Sequence, residues 1–308
     1  MTQSPKISRR AALAGAAALP FAAAMAGSAR AGAPLSGMSI APYQRVKVGG
    51  YDVTTILAGT ATRPDPQTIF GMNVDAETFN QVSAEAHIPT DAAQFFFTPT
   101  VVNTGNELVL FDTGLNAEGT TAALEAAGYT PDQIDIVVLT HMHGDHIGGL
   151  MTGDAPTFAN ARYVTGQAEF DHWSSTDNEG FMTKVKPLAE KMTFIGDGGS
   201  VASGITGMAA FGHTPGHMAY MIESDGKQLV LGGDFANHYV WSLAHPDWEV
   251  SFDNDKEAAA ATRRRMLDML AADAIPFVGY HMPWPAFGYV QKSGDAYSYM
   301  PHSYQLLL

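Results

Sequence analysis

The chain has 308 residues, of which 46% are hydrophobic and 16% charged, so it can bury a substantial core as one large domain. It contains 31 acidic and 17 basic residues, and the resulting net charge of −14 argues against a nucleic-acid-binding surface. Cysteine is absent. That absence excludes disulfide bonds, thiolate metal ligands and a thiol nucleophile, so any metal ion must be bound by His, Asp or Glu.

The first 31 residues have the features of an export signal. Arg9-Arg10 precede an alanine-rich apolar run at 11–27, and Ala29-Arg30-Ala31 offers a small-residue cleavage site. The twin arginine resembles a twin-arginine (Tat) signal, and the apolar run is too short and too alanine-rich to span a bilayer. We expect residues 1–31 to be removed and 32–308 to form a periplasmic or secreted domain without stable membrane insertion.

The first predicted elements after the signal are a hairpin and a long loop. Residues 43–57 alternate in polarity around Gly49-Gly50, which suits a tight hairpin turn. Residues 63–93 contain Pro, Asn, Asp and scattered aromatics without a clean period, which is typical of a surface excursion with short helices. Excursions of this kind often build pockets.

The remaining chain mixes short strands with two helices. The continuous apolar run at 135–139 indicates a strand buried on both faces. Helices are predicted at about 118–127 and, with an amphipathic pattern, at 255–272. Further strands are predicted at 98–103, 107–112, 161–165, 192–195, 205–211, 219–223, 228–231 and 277–280, followed by a terminal hairpin turned at 293–295.

A weak internal repetition favours an architecture of two related halves. The apolar strand at 108–111 runs into Asp112, and the similar strand at 229–231 runs into Asp234. Hairpins and single strands predominate over regular βαβ repeats. We therefore predict an αββα sandwich, an α/β fold with two mixed β-sheets packed face to face and helices on both outer faces.

Residues 140–149, with the sequence THMHGDHIGG, directly follow the buried strand. They contain four candidate metal ligands, His141, His143, Asp145 and His146. Four such groups cannot all be buried cheaply as unpaired polar side chains. In an extended segment the first two histidines lie on one side, and the other two groups can point to a neighbouring position. The spacing therefore favours two adjacent cations over one.

The pattern HxHxDH after a buried strand resembles the signature of the metallo-β-lactamase superfamily. Three further segments resemble its motifs: 211–217 (FGHTPGH), 232–234 (GGD) and 280–283 (YHMP). The resemblance implies a hydrolase in which two metal ions hold a hydroxide as the nucleophile. Two zinc ions are the expected cofactor, and iron, manganese or cobalt would also accept these N and O ligands.

The resemblance also implies a role for each side chain. The first metal is assigned to His141, His143 and His217, the second to Asp145, His146 and His281, with Asp234 bridging the two. Asp145 and Asp234 thus belong to the catalytic centre. Asp112 is expected to orient a ligand histidine, and His213 to support the site without binding metal.

The C-terminal part resembles methyl parathion hydrolase and its lactonase relatives, notably at 253–255 and 281–288. This implies opening of lactones or cleavage of esters of neutral, apolar small molecules, of acyl-homoserine lactone or aryl ester type; phosphotriester hydrolysis is the alternative. Trp284, Phe287 and Asn237 are the candidate pocket residues, the last standing where acyl-homoserine lactonases carry a tyrosine. A metal-sequestering protein without catalysis is the rival class, and monomer and homodimer both stay open.

Two charged segments have structural interpretations. Asp253-Asn254-Asp255 is predicted to cap the N-terminus of the long helix. Arg263-Arg264-Arg265 is predicted to be a solvated face of that helix.

Overall fold

Strands supply most of the regular structure in the computed structural model, which describes residues 39–303. The predicted signal, residues 1–31, lies outside the described residues. The strands are, in chain order, β1 (Tyr43–Val48), β2 (Tyr51–Ile56), β3 (Gly59–Pro64), β4 (Ala92–Phe97), β5 (Thr100–Asn103), β6 (Leu108–Phe111), β7 (Ile136–Val138), β8 (Met151–Thr152), β9 (Ala155–Pro156), β10 (Arg162–Gly166), β11 (Met192–Ile195), β12 (Ser200–Ala202), β13 (Ile205–Ala209), β14 (Met218–Ser224), β15 (Lys227–Gly233), β16 (Phe277–Gly279), β17 (Phe287–Ser293) and β18 (Ala296–Pro301).

Helices connect these strands. The α-helices are α1 (Ala76–Glu85), α2 (Ala117–Ala126), α3 (Gly144–Ile147), α4 (Gln167–Ser174) and α5 (Lys256–Ala272). Shorter 3-10 segments lie at Pro66–Thr68, Pro131–Gln133 and Lys186–Lys191, and π-helical segments lie at Phe181–Val185 and Tyr239–Ala244. None of the helices within 39–303 is long and apolar enough to traverse a lipid bilayer.

Two seven-stranded sheets form the framework. The first has the order β1-β2-β5-β6-β7-β10-β11, and the second runs consecutively from β12 to β18. Both are mixed: β6, β7, β10 and β11 are parallel neighbours in the first sheet, and β15 and β16 are parallel in the second. The other pairs are antiparallel.

The central strand of the first sheet, β7, is buried on both faces, as predicted. Along β7, Ile136 and Val138 belong to a core shared with second-sheet residues such as Tyr220. Val137 belongs instead to a separate cluster with Leu124 of α2. Side chains of a strand alternate between faces, so this strand contributes to the core between the sheets and to the layer beneath a helix.

The second sheet has its own helical layer. Met266, Leu267 and Leu270 of α5 are fully buried in the same cluster as Val230 and Phe277 of the second sheet. Burial of each such side chain contributes roughly 1.5–3 kcal/mol. With α2 on the other side, the arrangement confirms the predicted αββα sandwich.

The predicted excursion at 63–93 contains more regular structure than expected. It holds α1, as the short-helix prediction required, but its two ends pair with each other, Arg63 with Ala93, as part of the separate two-stranded hairpin β3–β4, which continues into the flanking residues. The sequence AAQFFF of β4 gives only a weak alternation, so this hairpin escaped prediction. The hairpin contributes Arg63, Phe95 and Phe97 to the wall of a cleft.

Candidate metal centre

Strand ends from both sheets meet at one edge of the sandwich. In the first sheet, Asp112 directly follows β6 and His141 lies three residues after the parallel strand β7. In the second sheet, Asp234 follows β15 and His281 comes two residues after the parallel strand β16. Parallel strands place their carboxyl ends at the same edge, so each sheet delivers two of these side chains to the same place.

Three histidines form the first ligand cluster, defined here as His141, His143 and His213. Nδ1 of His143 lies 3.1 Å from Nε2 of His141 and 3.0 Å from Nε2 of His213. A proton on one nitrogen can satisfy only one of these short contacts. A cation bound to one nitrogen of each of the three rings would account for both contacts, and zinc accepts such a set of ligands.

The second ligand cluster consists of Asp145, His146 and His281. Oδ2 of Asp145 lies 3.3 Å from Nε2 of His281 and 3.6 Å from Nε2 of His146. His281 is held in place because its Nδ1 donates to the Phe96 carbonyl at 2.9 Å. The cluster mixes one carboxylate with two imidazoles, a donor set that also suits zinc, iron or manganese.

Asp234 lies between the clusters. Its Oδ2 is 3.6 Å from Nε2 of His213 and 3.2 Å from Nε2 of His281, while Oδ1 is 3.5 Å from Nε2 of His146. One carboxylate therefore faces histidines of both clusters. This placement agrees with the bridging position implied by the sequence, and the bridging role itself stays a prediction.

Two buried atoms lack hydrogen-bond partners and show that the cluster fits a metal. Nε2 of His146 and Oδ1 of Asp234 are both buried and unpartnered. Leaving such groups unsatisfied costs about 1–3 kcal/mol each. Both belong to the group of potential ligand atoms formed with His141. Cations in this position would satisfy both atoms.

The structure corrects the assignment of His217 and His213. His217 is absent from the potential ligand groups among the described residues, and its Nε2 accepts a hydrogen bond from the Asp234 amide at 2.9 Å. Gly233 allows this approach, since a Cβ at its positive φ would lie 2.6 Å from that nitrogen. His213 takes the place expected for His217, because the turn directs the first histidine of the motif toward His143.

Asp112 lies beside the second cluster and contacts one of its histidines. Its Oδ2 lies 2.9 Å from Nδ1 of His146, and its Oδ1 accepts from the Thr140 amide at 2.9 Å. Both residues are nearly inaccessible to solvent. The carboxylate thus sets the ring orientation of His146 and leaves Nε2 free to face the centre.

A second buried carboxylate supports the first cluster. Oδ1 of Asp253 lies 2.9 Å from Nδ1 of His213, and Oδ2 of Asp253 accepts from Nη2 of Arg263 at 2.7 Å. The predicted helix cap at 253–255 is confirmed by Asp255, whereas the predicted solvated face is wrong for Arg263. Asp255 caps α5 through the Ala258 amide, and Arg263 is 1% exposed because α5 turns it inward to the backbone carbonyls of Phe235 and Pro246.

Glu169 on α4 connects the two histidine-bearing loops and was missed by sequence reasoning. Its Oε1 accepts from the Met142 amide at 2.9 Å and from Trp173 Nε1 at 2.6 Å. Its Oε2 accepts from Thr214 Oγ1 at 2.6 Å and from the Gly216 amide at 3.1 Å. The side chain is fully buried. No motif marks it, since an isolated glutamate on an eight-residue helix gives no sequence signal.

The two clusters have opposite electrostatic character. Burial is the main cause that lowers the pKa of His141 well below its usual value and that of His143 to about 3. In the second cluster burial acts in the same direction, but Asp234 and its neighbouring carboxylates outweigh it and raise the pKa of His146 and, to about 10, that of His281. Burial alone would raise the pKa of Asp145, but His146 and His281 outweigh it and lower that pKa to about 2.

A cleft of about 360 Å³ opens onto the clusters. Its floor contains His143, Asp145, His213, Asp234 and His281, and its walls contain Arg63, Phe95, Phe97, Leu115 and Phe252. The rings of Phe95 and Phe97 each stand edge-on to His281 with centroids 5.5 Å away. The cleft therefore combines a polar floor with a mainly aromatic wall.

The predicted pocket residues lie elsewhere. Trp284, Phe287 and Asn237 are not among the residues that line the cleft. Phe287 is 2% exposed and belongs to the core between the sheets, because it begins strand β17. Asn237 is buried and its side-chain amide lacks a partner. Trp284 and Phe287 were predicted to line the pocket because they follow His281 closely in sequence. The aromatic wall is formed instead by the hairpin β3–β4, through Phe95 and Phe97.

Sequence comparisons agree with this geometry. The family model described as "Metallo-beta-lactamase superfamily" matches residues 98–277. The probable metallo-hydrolase YflN of Bacillus subtilis is 30% identical over 146 residues, 41% of this chain and 55% of its own length. An N-acyl homoserine lactonase of a Bacillus species is 28% identical over 160 residues, 51% of this chain and 60% of its own length. The chain thus spans between half and two thirds of these curated relatives.

Solved structures with the same fold cover more of the chain. AidC, described as a dizinc quorum-quenching lactonase with a bound product, superposes with a TM-score of 0.79 at 22% identity and covers 85% of this chain and 98% of AidC. The hydrolase AbOPH superposes with a TM-score of 0.80 at 22% identity, over 87% and 99% of the two chains. These structures share the fold of the chain, and the family match, which covers more than half of its length, shows that the chain belongs to the metallo-beta-lactamase superfamily.

Proposed function

We propose that this protein is a dinuclear metal-dependent hydrolase, with zinc as the expected metal, that opens lactones or cleaves esters of small apolar molecules. The observation that carries the proposal is the convergence of two ligand clusters on Asp234 at the floor of a cleft with aromatic walls. A storage site needs neither a carboxylate shared between clusters nor an open cleft above them.

The residues of the chain have distinct roles in this proposal. His141, His143 and His213 hold one ion, and Asp145, His146 and His281 hold the other. Asp234 contacts both clusters and sets their separation. When bound, two adjacent divalent cations supply Lewis acidity and lower the pKa of a water molecule. Phe95 and Phe97 exclude bulk water beside His281 and pack against the apolar part of a substrate.

The lactonases among the relatives and the aromatic wall support lactones and aryl esters as substrates. Phosphotriesters are the second candidate from the sequence resemblance. Both classes develop negative charge on an oxygen in the transition state, which a cationic centre stabilises. The acidic chain slows the long-range approach of anionic substrates in general.

A substrate panel tests the proposal. Zinc-loaded protein is assayed with lactones, aryl esters, aryl phosphotriesters and a carboxylate-bearing β-lactam in one buffer at one ionic strength. We expect the highest kcat/KM for a lactone or an aryl ester, with loss of turnover in His143→Ala. His87→Asn is the matched control, since His87 lies outside the clusters at a positive φ that asparagine tolerates. Binding of two metals without turnover of any substrate would favour the sequestering protein.

Export is a separate part of the proposal. Residues 1–31 direct the chain through a twin-arginine pathway to the periplasm or the medium, and the chain from residue 32 is the active form. Replacement of Arg9 and Arg10 by lysine is expected to leave an uncleaved chain in the cytoplasm, measured by fractionation and by mass spectrometry of the N-terminus. Equal export of wild type and variant would overturn this part alone.

A further inference from the structure

Arg63 differs from every other arginine that the structure describes. Within residues 39–303 the other five arginines each hydrogen-bond a carboxylate, a hydroxyl or a backbone carbonyl; they are Arg45, Arg162, Arg263, Arg264 and Arg265. The Arg63 side chain is exposed and has no hydrogen bond, ion pair or ring contact within the same range. Among the described residues, its guanidinium therefore makes no contact that would stabilise the fold.

The position of Arg63 is set by the hairpin β3–β4. Cross-strand partners share a face, so the pairs Gly59–Phe97, Ala61–Phe95 and Arg63–Ala93 all point to the cleft side. Phe97 and Phe95 stand beside His281, and Arg63 follows one pair further along the hairpin. Two residues along a strand span about 7 Å, so Arg63 lies roughly that far beyond the position opposite Phe95.

The charges of the cleft single out this arginine. The two carboxylates that line the cleft, Asp145 and Asp234, face the ligand histidines at its floor. Arg63 is the one arginine or lysine in the lining of this cleft. Between the floor and Arg63 the wall is aromatic, since Phe95 contacts His281 on one side and Phe252, at a centroid distance of 6.3 Å, on the other.

We infer that Arg63 is an anion subsite of the cleft, which binds a carboxylate at the far end of a substrate whose ester or lactone carbonyl lies over the ligand clusters. This inference rests on the proposed hydrolase function and adds to it a substrate class: an ester or lactone with an apolar middle and a terminal carboxylate. A guanidinium suits this role because its planar N–H groups bind a carboxylate in a bidentate manner.

The subsite is compatible with the acidic chain. The net charge of −14 acts at long range and is screened over about 8–10 Å at physiological ionic strength. An arginine within the cleft acts at contact distance and after part of the solvent has been displaced. The two effects differ in salt dependence: the repulsion on approach weakens as salt increases, whereas a bidentate contact within the cleft is less sensitive.

The test compares paired substrates that differ only in the terminal carboxylate. The 4-nitrophenyl monoester of adipic acid is compared with 4-nitrophenyl hexanoate, and succinate and suberate monoesters vary the reach. The variants are Arg63→Gln and Lys227→Gln. Lys227 is the matched control, because it is also an exposed cationic strand residue but lines no part of this cleft. The readout is the ratio of kcat/KM for the monoanionic ester to that for the neutral ester.

We expect this ratio to fall roughly tenfold in Arg63→Gln, the loss typical of a charge-assisted hydrogen bond, and to stay within about twofold in Lys227→Gln. The succinate monoester should show the smallest effect, because it cannot reach from the clusters past Phe95. An equal ratio in wild type, Arg63→Gln and Lys227→Gln would overturn the subsite while leaving the hydrolase proposal intact.

A binding measurement separates the inference from the hydrolase proposal. If the wild-type protein cleaves none of the esters, the hydrolase proposal fails for this class. Calorimetric titration of zinc-loaded protein with adipate and hexanoate then tests Arg63 directly. Tighter binding of adipate that disappears in Arg63→Gln supports the subsite. Equal affinity of the two acids, or no binding of either, overturns it.

Discussion

The two ligand clusters lie side by side but are built differently. The first cluster contains three imidazoles, and its support comes from the second half of the chain through Asp253 and the buried Arg263. The second cluster includes a carboxylate, and its support comes from the first half through Asp112. The pKa values of His141 and His143 in the first cluster are lowered, chiefly by burial, and those of His146 and His281 in the second cluster are raised by the neighbouring carboxylates against the opposing effect of burial. A metal ion would therefore meet neutral ligands on one side and a negatively charged environment on the other.

This difference indicates that each cluster can be weakened separately, with Asp234 as the shared element. Loss of Asp234 should affect both clusters, whereas loss of a residue that only supports one cluster should affect that cluster alone.

Asp234→Ala is expected to have the largest effect. The change removes the carboxylate that faces His213, His146 and His281, so both clusters lose a negative neighbour at once. We expect kcat/KM to fall at least about 10²–10³-fold and the metal content to drop below two ions per chain. Steady-state kinetics and elemental analysis measure the two effects. Near wild-type turnover would show that Asp234 has no part in the centre.

His213→Ala should affect the first cluster alone, and comparison with His217→Gln tests the corrected assignment. Removal of His213 leaves the first cluster with only two imidazoles, those of His141 and His143. We therefore expect about one metal ion per chain to remain. A glutamine at 217 can still accept from the Asp234 amide, so that variant should retain both ions. Elemental analysis after dialysis against weak chelator measures this. The reverse pattern would restore the sequence-based assignment.

Asp253→Asn and Asp112→Asn should have smaller effects on metal affinity, the first variant at the first cluster only and the second variant at the second cluster only. Each replaces a carboxylate that orients one ring, His213 in the first case and His146 in the second. Loss of such a partner typically reduces metal affinity about 10–100-fold. Competition titrations with a chromophoric chelator should show one weakened ion in each variant. In the double variant the two losses should add, and weakening of both ions by either single change would contradict separate support.

Glu169→Gln is expected to have the smallest effect, about tenfold on the affinity of the first cluster only. The amide nitrogen of glutamine cannot accept from the two donors that one oxygen of Glu169 now serves, so either the loop at 142 or the loop at 214–216 loses its support. Metal titration measures the affinity, and thermal unfolding of the metal-free protein reports any general destabilisation. Glu190→Gln, at an exposed position, is the matched control.

The local parts of this site could be predicted from sequence. HxHxDH follows a run of apolar residues, and that adjacency alone placed His141, His143, Asp145 and His146 at the end of a buried strand. Asp112 and Asp234 were recognisable because each ends a short apolar strand. These features depend on residues within a few positions of one another, where spacing and strand direction determine the geometry.

The remaining parts depended on packing between distant segments. The choice between His213 and His217 is set by the path of a turn relative to His143, which is 70 positions away in the chain. The burial of Arg263 depends on the packing of α5 against carbonyls of another loop. The aromatic wall arises from pairing of β3 with β4 across an intervening helix, and neither strand has a strong pattern of its own.

The clusters also have a consequence for a chain that contains no cysteine. Each cluster takes ligands from both halves of the sandwich: His141 and His143 are joined by His213, and Asp145 and His146 by His281. An ion bound in either cluster would act as a reversible cross-link between segments about 70 to 140 positions apart. It would close loops in the way that disulfide bonds close them in many secreted proteins. Removal of the ions would lengthen the free loops again, so the same protein should become susceptible to proteases under chelating conditions.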